Sequence, residues 1–125
     1  MNRLQKMKLK TTLLKMREDV KAKVKHIENE NLGKSQKDAS GDLSGYSLHM
    51  ADVASDNFER DMSLGLVANE QELLYKIDAA LIRLKERDFG ACQKCSKDIG
   101  IRRLNAVPYA QMCITCQEQE DKHLK

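Results

Sequence analysis

The chain has four cysteines, and they fall in two pairs: Cys92-Gln93-Lys94-Cys95 and, after seventeen intervening residues, Cys113-Ile114-Thr115-Cys116. Two Cys-x-x-Cys turns at this separation are the ligand pattern of a four-thiolate zinc site. The reason is geometric. Zinc takes four ligands at the corners of a tetrahedron, and each short turn delivers two sulfurs to one ion. Gly90 precedes the first pair, and Asp98, Gly100 and Pro108 punctuate the span between the pairs, as tight turns require. Four thiolates leave no position for water or substrate, so one structural zinc, held by Cys92, Cys95, Cys113 and Cys116, is the expected cofactor. Two other chemistries use the same residues. Disulfides need an oxidising compartment, but the chain is charged from Arg3 onward and shows no apolar signal-peptide core, which points to a reducing cytoplasm. A thioredoxin-like redox pair belongs in a βαβ pattern, and none surrounds either pair. Zinc is the preferred reading, with both alternatives open.

The elements that must position this module are helical. Charged residues make up 33% of the chain and aromatics 4%, with no tryptophan. That balance favours long solvated helices over a large core. No apolar run approaches the roughly 20 residues that span a bilayer, so no membrane association is expected. The charge is unevenly placed. Residues 1–25 hold nine Lys/Arg against Glu18 and Asp19, a balance of +7, whereas residues 26–61 set eight acids against Lys34, Lys37 and Arg60, a balance of −5. Two surfaces with different partners are one reading, and solvated helix faces the other.

Leu13, Met16, Val20, Val24 and Ile27 recur by three and four, one stripe of a helix from Arg3 to about Leu32, with Leu4, Met7 and Leu9 extending it less regularly. Gly33 is a natural stop. Residues 33–47 are turn chemistry with little to bury and too long for a tight connection. A second helix is expected from about Asp56, where Asp56 and Glu59 resemble a capping box, to Arg87. Its stripe is Phe58, Met62, Leu66, Leu73, Ile77, Ala80, Leu81 and Leu84, with Gly65 inside it costing roughly 1 kcal/mol against alanine. The segment 98–104 reads as a short strand or turn, and a final helix is expected from Ile114. The fold class is therefore mainly α: a long antiparallel two-helix coiled-coil hairpin followed by a small four-cysteine zinc-finger module and a C-terminal helix. Its expected divisions are a hairpin over 1–88, with a tip loop at about 33–55, and a module over 89–125. Each arm would be about 45 Å long at 1.5 Å per residue. A monomer is expected, although the same stripes could pair between chains.

One family carries this constellation. Phe89-Gly90-x-Cys92-x-x-Cys95, then Ile99-x-x-x-Arg103-Leu104-x-Ala106-x-Pro108-x-Ala110-x-x-Cys113-x-x-Cys116, resembles the TraR/DksA zinc-finger family, and His49-x-x-Asp52-x-Ala54-x-x-x-Phe58-Glu59-Arg60 resembles its hairpin tip. The resemblance implies a regulator that binds bacterial RNA polymerase, inserts the hairpin into the secondary channel and modulates initiation without binding DNA. It implies tip residues at His49, Asp52 and Ala54; by their charge, the basic face of the first helix and Arg102-Arg103 are candidates for docking on an acidic protein surface. The chain departs from the family at His49, where an acid is usual, at Met50, where a proline is common, and at Ser96, where a glycine commonly follows the second cysteine. The tip spacing is similar to that of small Gram-positive members, some of them stress or sporulation regulators.

Two other functions compete. A DNA-binding zinc protein would use the basic residues 1–25 on phosphates, but the acidic stretch and the lack of a recognition helix in the zinc module weigh against it. An enzyme is not expected, because a closed four-sulfur site hides its nucleophiles and no Ser/His/Asp or phosphate-loop constellation exists.

Overall fold

The computed structural model describes residues 1–32 and 46–124; the side chains of residues 31, 32, 46–49 and 51 lie outside the description. Of the turn-rich run expected at 33–47, within a tip loop at about 33–55, residues 33–45 lie outside the described residues; from Tyr46 onward the chain is helical instead, residues 46–55 being continuous with the long helix that follows. The described chain is helical: α1 spans Arg3–Ile27 and passes into a π-helical turn, Glu28–Leu32; α2 spans Tyr46–Arg83, α3 Ile101–Ala106 and α4 Ile114–His123. The segment 98–104, expected as a short strand or turn, holds one end of an isolated bridge, Ala91 to Asp98, and then enters α3.

The start of α1 is capped reciprocally. The Gln5 N–H donates to Asn2 Oδ1 at 2.7 Å, and the Asn2 N–H donates to Gln5 Oε1 at 3.1 Å. Two of the amide donors at the helix start are thereby satisfied. For α2 the capping reading fails. The helix begins at Tyr46, ten residues before Asp56, so Asp56 lies in its interior and caps nothing.

The chain divides into two compact units: Met1–Glu18 with Leu74–Lys125, and Asp19–Leu73. In the first unit, the ends of the long helices run antiparallel. Arg17 Nε donates to Asp78 Oδ1 at 2.7 Å, and Lys6 Nζ reaches the Glu86 carbonyl at 3.4 Å. Leu13, Ile77 and Ala80 are fully buried. Leu9 joins Phe89, Leu104 and Ala110 in a core flanked by Leu84, Ile99, Ile101 and Val107. The cysteine module thus shares its core with the helix ends. In the second unit Val20, Ile27, Ser63 and Val67 are buried, and Lys23 Nζ pairs with Glu70 Oε1 at 3.0 Å.

The buried face of α2 differs from the stripe read in the sequence. Ile77 and Ala80 are buried and Leu73, Leu81 and Leu84 half-buried, but Phe58, Met62 and Leu66 are 65%, 56% and 51% exposed. The seam follows Ser63, Val67, Glu70, Leu74, Ile77, Leu81 and Leu84, alternating steps of four and three. A step of four advances about 40° on a helix of 3.6 residues per turn, so the series 58, 62, 66 walks off the seam. Ile77→Ala should therefore cost about 2–5 kcal/mol in denaturant unfolding. Leu66→Ala should stay within about 0.5 kcal/mol, as exposed substitutions do. Similar losses at both positions would contradict this seam.

Candidate metal centre

The site grows from two backbone knuckles. Following α2, Phe89 buries its ring in the core and Gly90 turns the chain at φ 100°. A Cβ at Gly90 would meet Met1 Cε at 3.4 Å, an ordinary contact, so it is the positive φ and not lack of space that disfavours a side chain there. The first knuckle is closed by Cys92 N–H to the Lys97 carbonyl at 2.7 Å and Ser96 N–H to the Cys92 carbonyl at 2.9 Å; Ile99 N–H to the Gly90 carbonyl at 2.7 Å secures its base. The second knuckle runs into α4, whose first turn carries Cys116. Gln93 N–H donates to the Gln111 carbonyl at 2.9 Å, joining the knuckles directly. Lys94 pairs with Glu120, which ties the first knuckle to α4.

These elements bring all four predicted ligands together. The sulfurs of Cys92, Cys95, Cys113 and Cys116 lie within 4.8 Å of one another, and Cys95 Sγ is 3.7 Å from Cys113 Sγ. Four sulfurs at zinc bond lengths of about 2.3 Å define a tetrahedron with edges of about 3.8 Å. The donor set fits a single zinc ion. Its charge balance points the same way. The Cys95 N–H aimed at Cys92 holds that thiol down to about 6 against the cost of burial, and the Cys116 N–H likewise lowers Cys113. The hydrogen bond with Cys113, followed by burial, pushes Cys116 up to about 12. Sulfurs this close resist ionising together until a cation neutralises them. Zinc bound here orders the fold and offers no open coordination position.

Ser96 supports the first knuckle at a cost. Its φ is +64°, a left-handed conformation that costs an L residue roughly 1–2 kcal/mol. Glycine relieves that strain but gives back about 0.4–1 kcal/mol through its freer unfolded chain. Ser96→Gly should therefore stabilise the zinc-loaded protein by about 0.5–1 kcal/mol, read as a higher thermal midpoint. An unchanged or lower midpoint would show that Ser96 makes up the strain elsewhere.

The other predicted residues are dispersed. Asp52 and Ala54 are exposed on α2, inside the helix and not at its cap, and His49 belongs to the same helix. Arg102 is exposed on α3. Arg103 is half-buried, and its Nε donates to the Met112 carbonyl at 3.0 Å, fastening α3 to the second knuckle. The sequence reading missed this clamp and the Lys94–Glu120 tie. It also missed the Asn2-x-x-Gln5 cap, although that spacing is a readable signal.

A mainly helical chain with a C4-type zinc module is thereby defined. Comparison with known proteins makes it more specific. The family described as prokaryotic dksA/traR C4-type zinc finger matches residues 87–122. The structure of transcription factor DksA2 from Pseudomonas aeruginosa matches with a TM-score of 0.77 and 32% identity, covering 98% of this chain and 87% of that one. The RNA polymerase-binding transcription factor DksA of Buchnera aphidicola is 46% identical over 61 residues, 47% of this chain and 40% of that protein. The protein of the same name from Escherichia coli K12 is 39% identical over 66 residues, 53% and 44%. The chain belongs to the DksA/TraR C4-type zinc-finger family. The matched stretch spans less than half the length of these curated relatives, all named as transcription factors and not as enzymes.

Proposed function

We propose that the protein is a cytoplasmic transcription regulator that binds bacterial RNA polymerase. In this reading the helical pair enters the secondary channel with Asp52, Ala54 and His49 at its tip, and initiation changes without contact to DNA. Arg102 is a docking candidate on the zinc module; Arg103, engaged with Met112, supports the surface that presents it. Stress response or sporulation is the setting this reading favours. The observation that carries it is the likeness to DksA2 along almost the whole chain, helices and zinc module together. The exposed carboxylate of Asp52 adds chemical sense, because a charge near channel metal or basic groups acts strongly where water is scarce. No helix among the described residues is long and apolar enough to cross a membrane.

The test is promoter-specific transcription with purified polymerase. Adding the zinc-loaded protein should change initiation at responsive promoters, and deleting residues 33–56 should remove that effect. Unchanged initiation over a range of promoters at saturating protein would reject the proposal.

A further inference from the structure

We propose that the outer face of α1 between Leu4 and Leu14 docks an acidic amphipathic helix on the polymerase surface. This rests on the polymerase reading and adds a second contact to the tip. The structure splits the apolar residues of early α1 into two sets. Leu9 and Leu13 are 2% and 0% exposed, whereas Leu4, Met7 and Leu14 are 61%, 58% and 45% exposed. The exposed set is ordered. Leu4, Met7, Thr11 and Leu14 follow steps of three, four and three, half a turn away from the buried face. Thr11 donates its hydroxyl to the Met7 carbonyl at 3.1 Å, so that donor is satisfied within the helix.

Cations flank this stripe. At 100° per residue, Arg3 and Lys10 lie on one side and Lys8 and Lys15 on the other, all exposed. None of the four is paired with a described carboxylate. An apolar stripe with heptad steps between rows of cations is the complement of a helix with apolar residues at the same steps and Asp or Glu beside them. The stripe is about 15 Å long, three turns of a partner helix. Beyond Leu14 the same face of α1 carries Glu18, Lys21 and Lys25, all exposed, so it offers a lipid surface no further large apolar residue. A nucleic-acid backbone would satisfy the lysines but leave Leu4, Met7 and Leu14 in water. A second copy of α1 would set lysine against lysine.

The experiment compares wild type, Leu4→Glu/Met7→Glu/Leu14→Glu and Lys8→Glu/Lys15→Glu for binding to purified bacterial RNA polymerase, with Asp52→Asn beside them. Zinc content and thermal midpoint of each variant establish that it is folded, as the exposure of the replaced residues predicts. The triple variant should bind at least tenfold more weakly, the lysine variant several-fold more weakly, and Asp52→Asn like wild type. Equal affinity of wild type and the triple variant overturns the docking face and leaves the polymerase reading intact. No binding by wild type overturns both. Binding of wild type to anionic phospholipid vesicles or duplex DNA, or a dimer in sedimentation, that the triple variant abolishes would assign the stripe to that partner and overturn the acidic helix.

Discussion

Cys113→Ser should reduce bound zinc from one ion per chain to almost none after exposure to a mild chelator. One ligand is lost from a closed shell whose assembly is coupled to folding, and apparent zinc-binding energies in such small sites are about 10–16 kcal/mol. The damage should start at the knuckles, where Cys92, Cys95, Cys113 and Cys116 share one point. It should then reach Phe89, Leu104 and Ala110, and through Leu9 the adjoining end of α1, because these residues form one core. Helicity within Asp19–Leu73 should suffer less, since Val20, Ile27 and Val67 are buried in the other compact unit. Limited proteolysis should accordingly cut within residues 89–123 first. A Cys113→Ser protein that keeps one zinc per chain and the wild-type melting profile would show that the four sulfurs are not a single site.

Asp52→Asn should abolish most of the effect on transcription while changing polymerase affinity little. Asp52 is exposed within α2, so asparagine removes the charge at nearly constant shape and at a similar helix propensity. The thermal midpoint should therefore be close to that of wild type, which separates loss of function from loss of fold. The proposed reading assigns docking to other residues, with Arg102 as a candidate, so the variant should still occupy polymerase. Equal transcriptional effects from wild type and Asp52→Asn at saturating concentration would reduce Asp52 to an ordinary solvated helix residue.

Most of the metal centre was legible because its chemistry is local. Cys-x-x-Cys turns bring their own sulfurs together, and the separation of the two pairs left little choice of partner. The long helices were legible for a related reason: Leu13, Met16, Val20, Val24 and Ile27 trace a regular stripe. What the sequence hid depended on register. Ser63 and Glu70 hold seam positions on α2, so the apolar pattern pointed to Met62 and Leu66, which face water. On α1 one apolar cluster became two faces, with Leu9 inward and Leu4 and Met7 outward. The start of α2 was misread because Asp56 and Glu59 have the spacing of a cap, yet residues 46–55 continue the helix. The role of Arg103 depended on a carbonyl nine residues away, which no spacing rule reveals.

The most direct measurement is equilibrium binding of the zinc-loaded protein to purified bacterial RNA polymerase, run beside bare duplex DNA over a range of salt concentrations. The account predicts saturable one-to-one binding to polymerase and no measurable binding to DNA at moderate salt. Failure to bind polymerase, together with duplex binding that falls steeply as salt rises, would contradict it and identify the basic α1 as a phosphate-binding surface.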